Sequence, residues 1–366
     1  MRRARHHLSP CPDVCVVGAG IIGLSLALEL HHRGARVTVI ERDTALSHAS
    51  TAAAGMLAAH DPENPSQLQS LSELSVALYP EFLRQIEDFS GIAVPFQTTR
   101  TFQAHPGYTD TKQPTLPPQL TPGIHHFQLL DEHSVDPRQL SAALLGAIRS
   151  TTIDLREHTE LRTASESRSG VQLDTNAGSI TTRFLIYTQG AWSLAPVTPR
   201  KGQMLSISLP ASLPLQDVIR TPEIYIVPRT QGPRAGRALI GATVEEVGFD
   251  TTTSFNDLAY LRSLAAQFLP QLANETLCPS IDQWAGLRPA TPDALPLLGR
   301  LHFDSNQIIA SGHYRNGILL APATARVMAQ LVLGKAASVN LTPFSPDRFP
   351  ADEQIAHERR YSPNLP

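Results

Sequence analysis

One stretch near the start of the chain, residues 14–41, constrains the fold more than any other. Its pattern predicts a buried strand, a glycine turn, a helix and a second strand. Gly18, Gly20 and Gly23 fit the dinucleotide-binding pattern, which permits a tight turn, the approach of a pyrophosphate and close helix packing. Glu41 ends the second strand, where a carboxylate can accept hydrogen bonds from a ribose. A buried helix with packing glycines would explain Gly23 alone, so the stretch predicts dinucleotide binding.

Length and charge exclude several classes of protein. A chain of 366 residues predicts two structural units. The formal net charge of −3, with 17% charged residues, argues against a nucleic-acid partner. The three cysteines form neither a disulfide framework nor a zinc motif, so we expect a cytoplasmic protein with no metal site. The apolar run 14–28 is too short for a membrane span and lacks a cleavage-site pattern, so we expect no membrane anchor and no signal peptide.

Three helices are predicted from periodicity and from residues typical of helix starts. Residues 68–89 carry apolar side chains at three- and four-residue steps, which predicts an amphipathic helix that is kinked or broken at Pro80. Asp136 as N-cap and Pro137 at the first helical position mark a second helix. A third helix is capped near Ser254.

Two stretches each allow two interpretations. The small residues 51–57 would let the backbone lie flat against a planar ligand, and they equally suit the start of an alanine-rich helix. The buried strand 184–188 ends in residues 189–192, which would suit a further nucleotide-contacting turn or an ordinary strand end.

The second half of the chain returns to an α/β pattern after a β-rich region. Residues 223–229 and 237–243 flank a loop with glycine and proline, which predicts a hairpin. Near the end, strand 307–312 leads through the polar turn 313–317 into a helix over 318–333. This second strand–turn–helix unit predicts a nucleotide domain assembled from distant segments, with a sheet-rich domain inserted between them.

Six segments together resemble the D-amino-acid-oxidase-like FAD-dependent oxidoreductases. They are VVGAGIIG (16–23), STAAAGMLAAH (50–60), YIVPR (225–229), LIGAT (239–243), WAGLRP (284–289) and GHYRNGILLAP (312–322). The resemblance covers nearly the whole chain. It implies an α/β fold with a discontinuous, Rossmann-like FAD-binding domain of the glutathione-reductase type and an α+β substrate domain with a large antiparallel sheet. The implied FAD-binding domain comprises residues 11–90, 133–194 and 284–345. The implied substrate-binding domain comprises residues 91–132 and 195–283, and residues 346–366 form a C-terminal tail.

The resemblance also implies which residues contact FAD. The glycine turn and the residues after the second strand would face the pyrophosphate and the AMP ribose: Gly18, Gly20, Ile21, Ile22, Gly23, Glu41 and Arg42. A second group would line the diphosphate and the flavin: Ala49, Ser50, Ala54, Gly55 and Met56. Leu161 loosely matches an adenine contact. The last group would wrap the isoalloxazine: His313, Tyr314, Arg315, Asn316, Gly317, Ile318 and Leu319. The helix N-terminus there would favour a negatively charged reduced flavin.

Three residues carry the implied substrate chemistry. Arg288 matches the family arginine that binds an amino-acid carboxylate, because a guanidinium offers a planar fork to two oxygens. Tyr225 matches a tyrosine whose hydroxyl reaches the same carboxylate, and Arg315 matches a second arginine at the substrate end of the flavin. Without the resemblance, Arg288 would be an ordinary surface arginine and Tyr225 a tyrosine packed on a sheet face.

Two residues depart from the pattern of the family members that oxidise glycine. Glu223 stands where a histidine is expected, and Val244 where a methionine is expected, and both are expected close to the pocket. They leave the preferred amine open. No cysteine lies near residues 312–317, where some relatives attach the flavin covalently, so we expect noncovalent FAD.

The implied activity is oxidation of glycine, or of another small amine, by hydride transfer to the flavin. Oxygen would be reduced to hydrogen peroxide, and the glyoxylate or imine would enter the thiazole branch of thiamin biosynthesis, with thiazole-synthesis enzymes as partners of a homo-oligomer. A related oxidase or dehydrogenase of D-amino acids, sarcosine or D-proline stays open, as does an FAD-binding module without turnover. An NAD-dependent dehydrogenase would not explain residues 312–322.

Overall fold

The computed structural model describes residues 12–104, 114–123, 125–167, 170–194 and 196–349. The strands are β1 Val14–Val17, β2 Val37–Ile40, β3 Thr101–Ala104, β4 Phe127–Leu130, β5 Asp154–Arg156, β6 Leu161–Ser167, β7 Gly170–Thr175, β8 Gly178–Thr182, β9 Phe184–Tyr187, β10 Thr198–Ser208, β11 Val218–Arg220, β12 Tyr225–Arg229, β13 Arg237–Gly241, β14 Ser280–Ala290, β15 Leu297–Arg300 and β16 Gln307–Ser311. The α-helices are α1 Ile21–His32, α2 Ala49–Ala52, α3 Gln69–Ser90, α4 Pro137–Arg149, α5 Phe255–Phe268 and α6 Gly317–Val332.

The first sheet has six strands in the order β15-β16-β9-β1-β2-β5. All neighbours are parallel except β15 and β16, which are antiparallel. Every residue of β1 and β2 is buried, as expected for strands covered on both faces. Helices α1, α3, α4 and α6 supply apolar side chains to the main core cluster on this sheet. The predicted strand–turn–helix–strand unit over 14–41 is therefore confirmed.

The second sheet has seven strands in the order β14-β10-β13-β12-β11-β3-β4. Its pairs are antiparallel except β11 with β3. A second core cluster lies between this sheet and α5. Strands β6, β7 and β8 form a separate antiparallel sheet. The predicted fold class, a parallel α/β sheet combined with a large antiparallel sheet, is confirmed.

The local helix signals are present in the structure with one difference. Asp136 caps α4 by accepting the Arg138 backbone N–H at 2.9 Å, and Ser254 caps α5. Helix α3 continues through Pro80 as one helix, so a break there is wrong. The small-residue stretch begins in the short helix α2, which ends at Ala52, and Ala53 has an extended conformation. Its contact with a planar ligand stays a prediction.

The predicted domain ranges stay a prediction. The strands of the six-stranded sheet come from three separated regions, 14–40, 154–187 and 297–311, which suits a discontinuous domain. The predicted boundary at 284 falls inside β14, which pairs with β10 in the seven-stranded sheet. Most of the predicted tail, from residue 350, lies outside the described residues. Among the helices of the described ranges, none combines the length and the apolar character needed to cross a bilayer.

Candidate active site

A cavity lies at the carboxyl ends of three parallel strands. The empty space in and in front of it, including open solvent, is about 1160 Å³. Its lining includes Gly20 after β1, Thr188 and Gly190 after β9, and His313 after β16. Ligands of open α/β sheets bind outside the carboxyl ends of the strands, so the topology alone favours a binding site here. Gly190 places part of the strand end 189–192 at the cavity, and a nucleotide contact there stays a prediction.

The opposite wall comes from the seven-stranded sheet. Strands β10, β12 and β14 contribute Gly202, Met204, Tyr225, Gly286 and Arg288. The cavity therefore has a wall built from the dinucleotide unit and a wall built from the sheet that carries the predicted substrate residues.

The glycine turn places the start of α1 at this cavity. A Cβ on Gly23 would stand 2.0 Å from the carbonyl oxygen of Gly18, so only glycine allows this helix packing. Gly18 has φ +106°, a conformation that favours glycine. No side chain caps α1 at Gly20, and the Ile21 backbone N–H donates to the Ser50 hydroxyl at 2.9 Å. The remaining positive end of α1 suits an anionic group.

The small-residue stretch is held in place from the seven-stranded sheet. Arg229, almost fully buried, donates to the Ala54 carbonyl at 2.8 Å, and the Trp284 indole N–H donates to the Ala52 carbonyl at 3.0 Å. A Cβ on Gly286 would stand 2.5 Å from the Ala52 Cβ. This close approach explains why small residues occur on both sides of the contact.

The turn before α6 forms the third part of the lining. The His313 ring is buried, its Nε2 lies 3.1 Å from the Thr324 hydroxyl, and burial lowers the pKa of the imidazole to about 3. His313 is therefore neutral at physiological pH. Helix α6 begins at Gly317, and Asn316, its N-cap, makes no side-chain cap hydrogen bond, so its first turn also has a positive end near the cavity.

Arg288 and Tyr225 meet at the substrate wall. The Arg288 guanidinium donates to the main-chain carbonyls of Thr243 at 3.0 Å and Lys201 at 3.5 Å. A Cβ on Gly202 would stand 2.3 Å from the Arg288 Nη2, so this glycine makes room for the guanidinium. Burial raises the pKa of the Tyr225 hydroxyl, against the opposing effect of Arg288 beside it. Among the described residues, no carboxylate pairs with Arg288.

Arg315 differs from Arg288 because acidic side chains occupy it. Its Nη2 lies 2.9 Å from the Asp61 carboxylate, and its Nη1 contacts the Glu63 carboxylate. Arg315 lies in the cavity lining, and its predicted place at the substrate end of the flavin stays a prediction.

The lining contains most of the predicted cofactor and substrate residues: Gly20, Ile21, Ile22, Ala49, Ser50, Ala54, Gly55, Met56, Tyr225, Arg288, His313, Tyr314, Arg315, Asn316, Gly317 and Ile318. Six others lie outside it: Gly18, Gly23, Glu41, Arg42, Leu161 and Leu319. Gly18 and Gly23 shape the turn from beneath, and Leu319 is buried in the main core. The roles of individual residues stay predictions.

The residues expected at the adenosine end have other partners in the structure. The Glu41 carboxylate accepts the backbone N–H groups of Ala19 at 2.7 Å and Asp43 at 2.9 Å. A carboxylate has about four acceptor positions, so room for a ribose remains. The Arg42 guanidinium lies 4.6 Å from the ring centroid of Trp192. Leu161 packs against the core cluster on the other face of the six-stranded sheet.

The two departures from the family pattern do not line the cavity. Val244 is 61% exposed, and the Glu223 carboxylate accepts a hydrogen bond from the Thr221 hydroxyl. The Thr243 carbonyl, which directly precedes Val244, accepts a hydrogen bond from Arg288, and Glu223 lies two positions before Tyr225. The expectation that both lie close to the pocket therefore stays a prediction. Sequence reasoning missed Asp61 and Gly202. The signal for Asp61 was available, as an acid directly following the small-residue stretch.

The lining fits FAD on several grounds. Two helix starts without a side-chain cap, at Gly20 and Asn316, provide positive ends for anionic groups. Small residues of the 49–56 stretch, among them Ala49, Ala52, Ala53 and Ala54, line the cavity. The two cysteines of the described ranges, Cys15 and Cys278, are both buried, and neither belongs to the lining, which favours noncovalent attachment.

Comparison with known proteins agrees with this arrangement. The family model for FAD dependent oxidoreductases (DAO) matches residues 13–331. The glycine oxidase of Geobacillus kaustophilus is 32% identical, over 91% of this chain and 96% of that protein. Its crystal structure superposes with a TM-score of 0.85, at 30% identity, and covers 93% of this chain and 99% of that one.

A second kind of relative is longer than this chain. The bifunctional protein ThiO/ThiG of Trichormus variabilis is 34% identical over 92% of this chain and 55% of that protein. The chain thus spans about half the length of the ThiO/ThiG proteins it matches. Since the family model covers most of the chain and the topology, the cavity and the glycine turn all agree with it, this chain belongs to the DAO family of FAD-dependent oxidoreductases.

Proposed function

We propose that the chain oxidises glycine, with water and oxygen as co-reactants and with glyoxylate, ammonia and hydrogen peroxide as products. One observation carries this proposal: the Arg288 guanidinium lines the cavity, and its partners among the described residues are two main-chain carbonyls and the Tyr225 hydroxyl, with no carboxylate. A partly buried guanidinium without an acidic partner is suited to a carboxylate ligand. The names of the Geobacillus kaustophilus and ThiO/ThiG relatives support the same choice of substrate.

The side chains of the substrate wall bind and orient the amino acid. Arg288 holds the carboxylate through its planar fork, and the Tyr225 hydroxyl, beside it, adds one hydrogen bond. Two anchored contacts limit rotation of a small substrate, which is the main contribution of a protein to such a reaction. The glycine turn and the turn before α6 would hold FAD, which would supply the redox chemistry as the hydride acceptor.

No side chain of the lining acts as a general base in this proposal. His313 is buried and is held neutral at physiological pH, with its Nε2 at the Thr324 hydroxyl. The Asp61 carboxylate is occupied by Arg315. The substrate amine therefore binds in its neutral form, and the apolar walls of Ala53, Ala54 and Met56 favour that form over a cation.

A related substrate such as sarcosine or a D-amino acid is less well supported. The case for it came from Glu223 and Val244, and neither side chain belongs to the lining. We further propose that the product serves thiazole synthesis, which the ThiO/ThiG fusion supports. We also propose that the protein is cytoplasmic, as its cysteine content led us to expect, and that it is a homo-oligomer.

Anaerobic titration of the purified holoprotein tests the proposed activity. Glycine, sarcosine, D-alanine and D-proline are each mixed with it, and loss of the flavin absorbance is followed. We expect glycine to reduce the flavin, and aerobic turnover to produce one hydrogen peroxide per glycine. Failure of all four amines would contradict enzymatic function, whereas faster reduction by D-proline or sarcosine would redirect it to another amine.

A further inference from the structure

A chain of alternating charges leads from the cavity into the protein. Asp61, with a side chain only 7% exposed, lies 2.9 Å from Arg315 at the cavity and 3.8 Å from the buried Arg220 behind it. Arg220 in turn lies 2.9 Å from Glu132, and both side chains are 2% exposed. Buried charges persist only when they are paired. The charged state of each of these four side chains therefore depends on the oppositely charged side chain beside it.

The charged side chains of the cavity lining differ in whether they have an oppositely charged partner. They are Arg288, Arg315 and Asp61. Arg315 has two acidic partners, Asp61 and Glu63, whereas Arg288 has none among the residues that the structure describes. Within the described part of the chain, the lining therefore offers one guanidinium without an acidic partner, which matches a substrate with one carboxylate. A second acid group on the substrate would enter a cavity whose other guanidinium is already occupied and whose wall carries the Asp61 carboxylate.

We propose that Asp61 is a specificity-determining residue that restricts the enzyme to amines with a single acid group. It does so in two ways: it keeps Arg315 from binding the substrate, and it repels a second anion. This inference rests on the proposed function, in that Arg288 is taken as the group that binds the first carboxylate. Glu63 has a smaller part, because its side chain is 49% exposed and water screens its charge.

Two substrates of nearly equal size isolate the effect of charge. Iminodiacetate carries two carboxylates, and its monoamide, N-(carbamoylmethyl)glycine, replaces one of them by a neutral amide. The kcat/KM of each compound is measured by flavin reduction and by peroxide formation, and the ratio of the two values is compared between variants. A change in general activity or in folding moves both values together and leaves the ratio unchanged.

The parent enzyme should prefer the monoamide by at least about tenfold, because like charges placed together in a desolvated site are costly. Asp61→Asn should shift the ratio toward iminodiacetate by about tenfold or more, while Asp61→Glu keeps the parent ratio. Glu63→Gln, the control at the exposed partner of the same arginine, should shift it by less than about threefold. An unchanged ratio in Asp61→Asn, or a parent that accepts both compounds equally, would overturn the proposal.

A binding measurement separates this inference from the proposed activity. If no amine reduces the flavin, the perturbation of the flavin spectrum by acetate and by malonate still reports occupancy of the Arg288 site. The parent should bind acetate more tightly than malonate, and Asp61→Asn should reverse or remove that preference. If Asp61→Asn does not fold, the preference of the parent decides alone, and equal affinity for the two anions rejects the role of Asp61.

Discussion

At the scale of single residues, the site is defined by which polar groups have partners and which do not. Arg288 and Arg315 line the same cavity, but acids occupy only Arg315. His313 is buried with a hydroxyl as its ring partner. These differences of environment suit Arg288 to the proposed carboxylate binding, Arg315 to charge pairing and His313 to neutral packing.

Arg288→Ala should raise the apparent glycine constant by orders of magnitude while FAD stays bound. Removing one member of a buried charge pair costs roughly 3–5 kcal/mol, and Arg288 lies on the wall opposite the dinucleotide turn. Tyr225→Phe should cost less, about 1.5–3 kcal/mol, as for one hydrogen bond to a charged group. Steady-state kinetics together with flavin content measures both. Parent-like glycine kinetics in Arg288→Ala would remove that residue from the site.

The buried His313 should make the protein less stable as the pH falls. Burial lowers its pKa in the folded state to about 3, whereas an unfolded histidine titrates near 6.5. Below about pH 6.5 the unfolded state therefore binds the extra proton, and the free energy of unfolding falls by up to about 1.4 kcal/mol for each pH unit until the folded pKa is reached. Above about pH 6.5 the histidine is neutral in both states, and the stability of the folded protein no longer depends on its protonation.

Urea unfolding at about pH 7.5 and about pH 5.5 measures this effect of His313. The difference in free energy between the two conditions should be smaller in His313→Gln, which cannot take up the proton. Equal differences in the parent and the variant would show that the imidazole is protonated as readily in the folded protein as in the unfolded chain.

At the scale of elements, side chains of α3 replace a backbone hydrogen bond that is missing in α6. Pro322 lies in the first turns of α6 and has no N–H to offer to the Ile318 carbonyl. The Tyr79 hydroxyl of α3 donates to that carbonyl instead, at 2.6 Å. The Ser75 hydroxyl bridges the next position, between the Leu319 carbonyl at 2.6 Å and the Ala323 N–H at 3.2 Å. The backbone hydrogen bonding of α6, whose first residues line the cavity, thus depends on side chains more than 200 positions earlier in the chain.

Tyr79→Phe should destabilise the protein by about 1–3 kcal/mol, because the buried Ile318 carbonyl would lose its hydrogen bond. Urea unfolding of the holoprotein measures the change. Tyr260→Phe is the matched control, since Tyr260 is 62% exposed and loses no buried hydrogen bond. Similar small changes in both variants would mean that the Tyr79 hydroxyl adds nothing to the packing of α3 on α6.

At the scale of the whole molecule, the cavity exists only because two sheets face each other. The six-stranded sheet contributes the ends of β1, β9 and β16, and the seven-stranded sheet contributes β10, β12 and β14. A ligand that contacts both sheets stabilises the folded state, because the unfolded chain lacks the site.

Addition of FAD to the apoprotein should therefore raise its free energy of unfolding. The expected gain is about 2.7 kcal/mol at a free FAD concentration of 100 times the dissociation constant. Thermal unfolding at increasing FAD concentrations measures it, with NAD at the same concentrations as the control. A midpoint that responds equally to FAD and NAD would contradict a site shaped for the flavin.

The sequence by itself determined the elements whose signals are local. The glycine turn of residues 18–23, the cap at Asp136 and the cap at Ser254 each depend on a few neighbouring residues, and each stands in the structure as expected. Backbone conformation and capping are short-range effects, so a single sequence carries them. The family motifs extended this reading to the fold and to Arg288 and Tyr225, which the cavity lining brings together.

Only the tertiary structure decided the electrostatics of the site. Arg315 and Asp61 are separated by 254 positions, and the motif around Arg315 does not reveal that acids occupy its guanidinium. The place of Val244 outside the lining and the unbroken course of α3 through Pro80 likewise depend on packing. Charge pairing and burial are set by residues distant in the chain. The substrate preference proposed for Asp61 therefore depends on the tertiary structure and is not contained in any local motif.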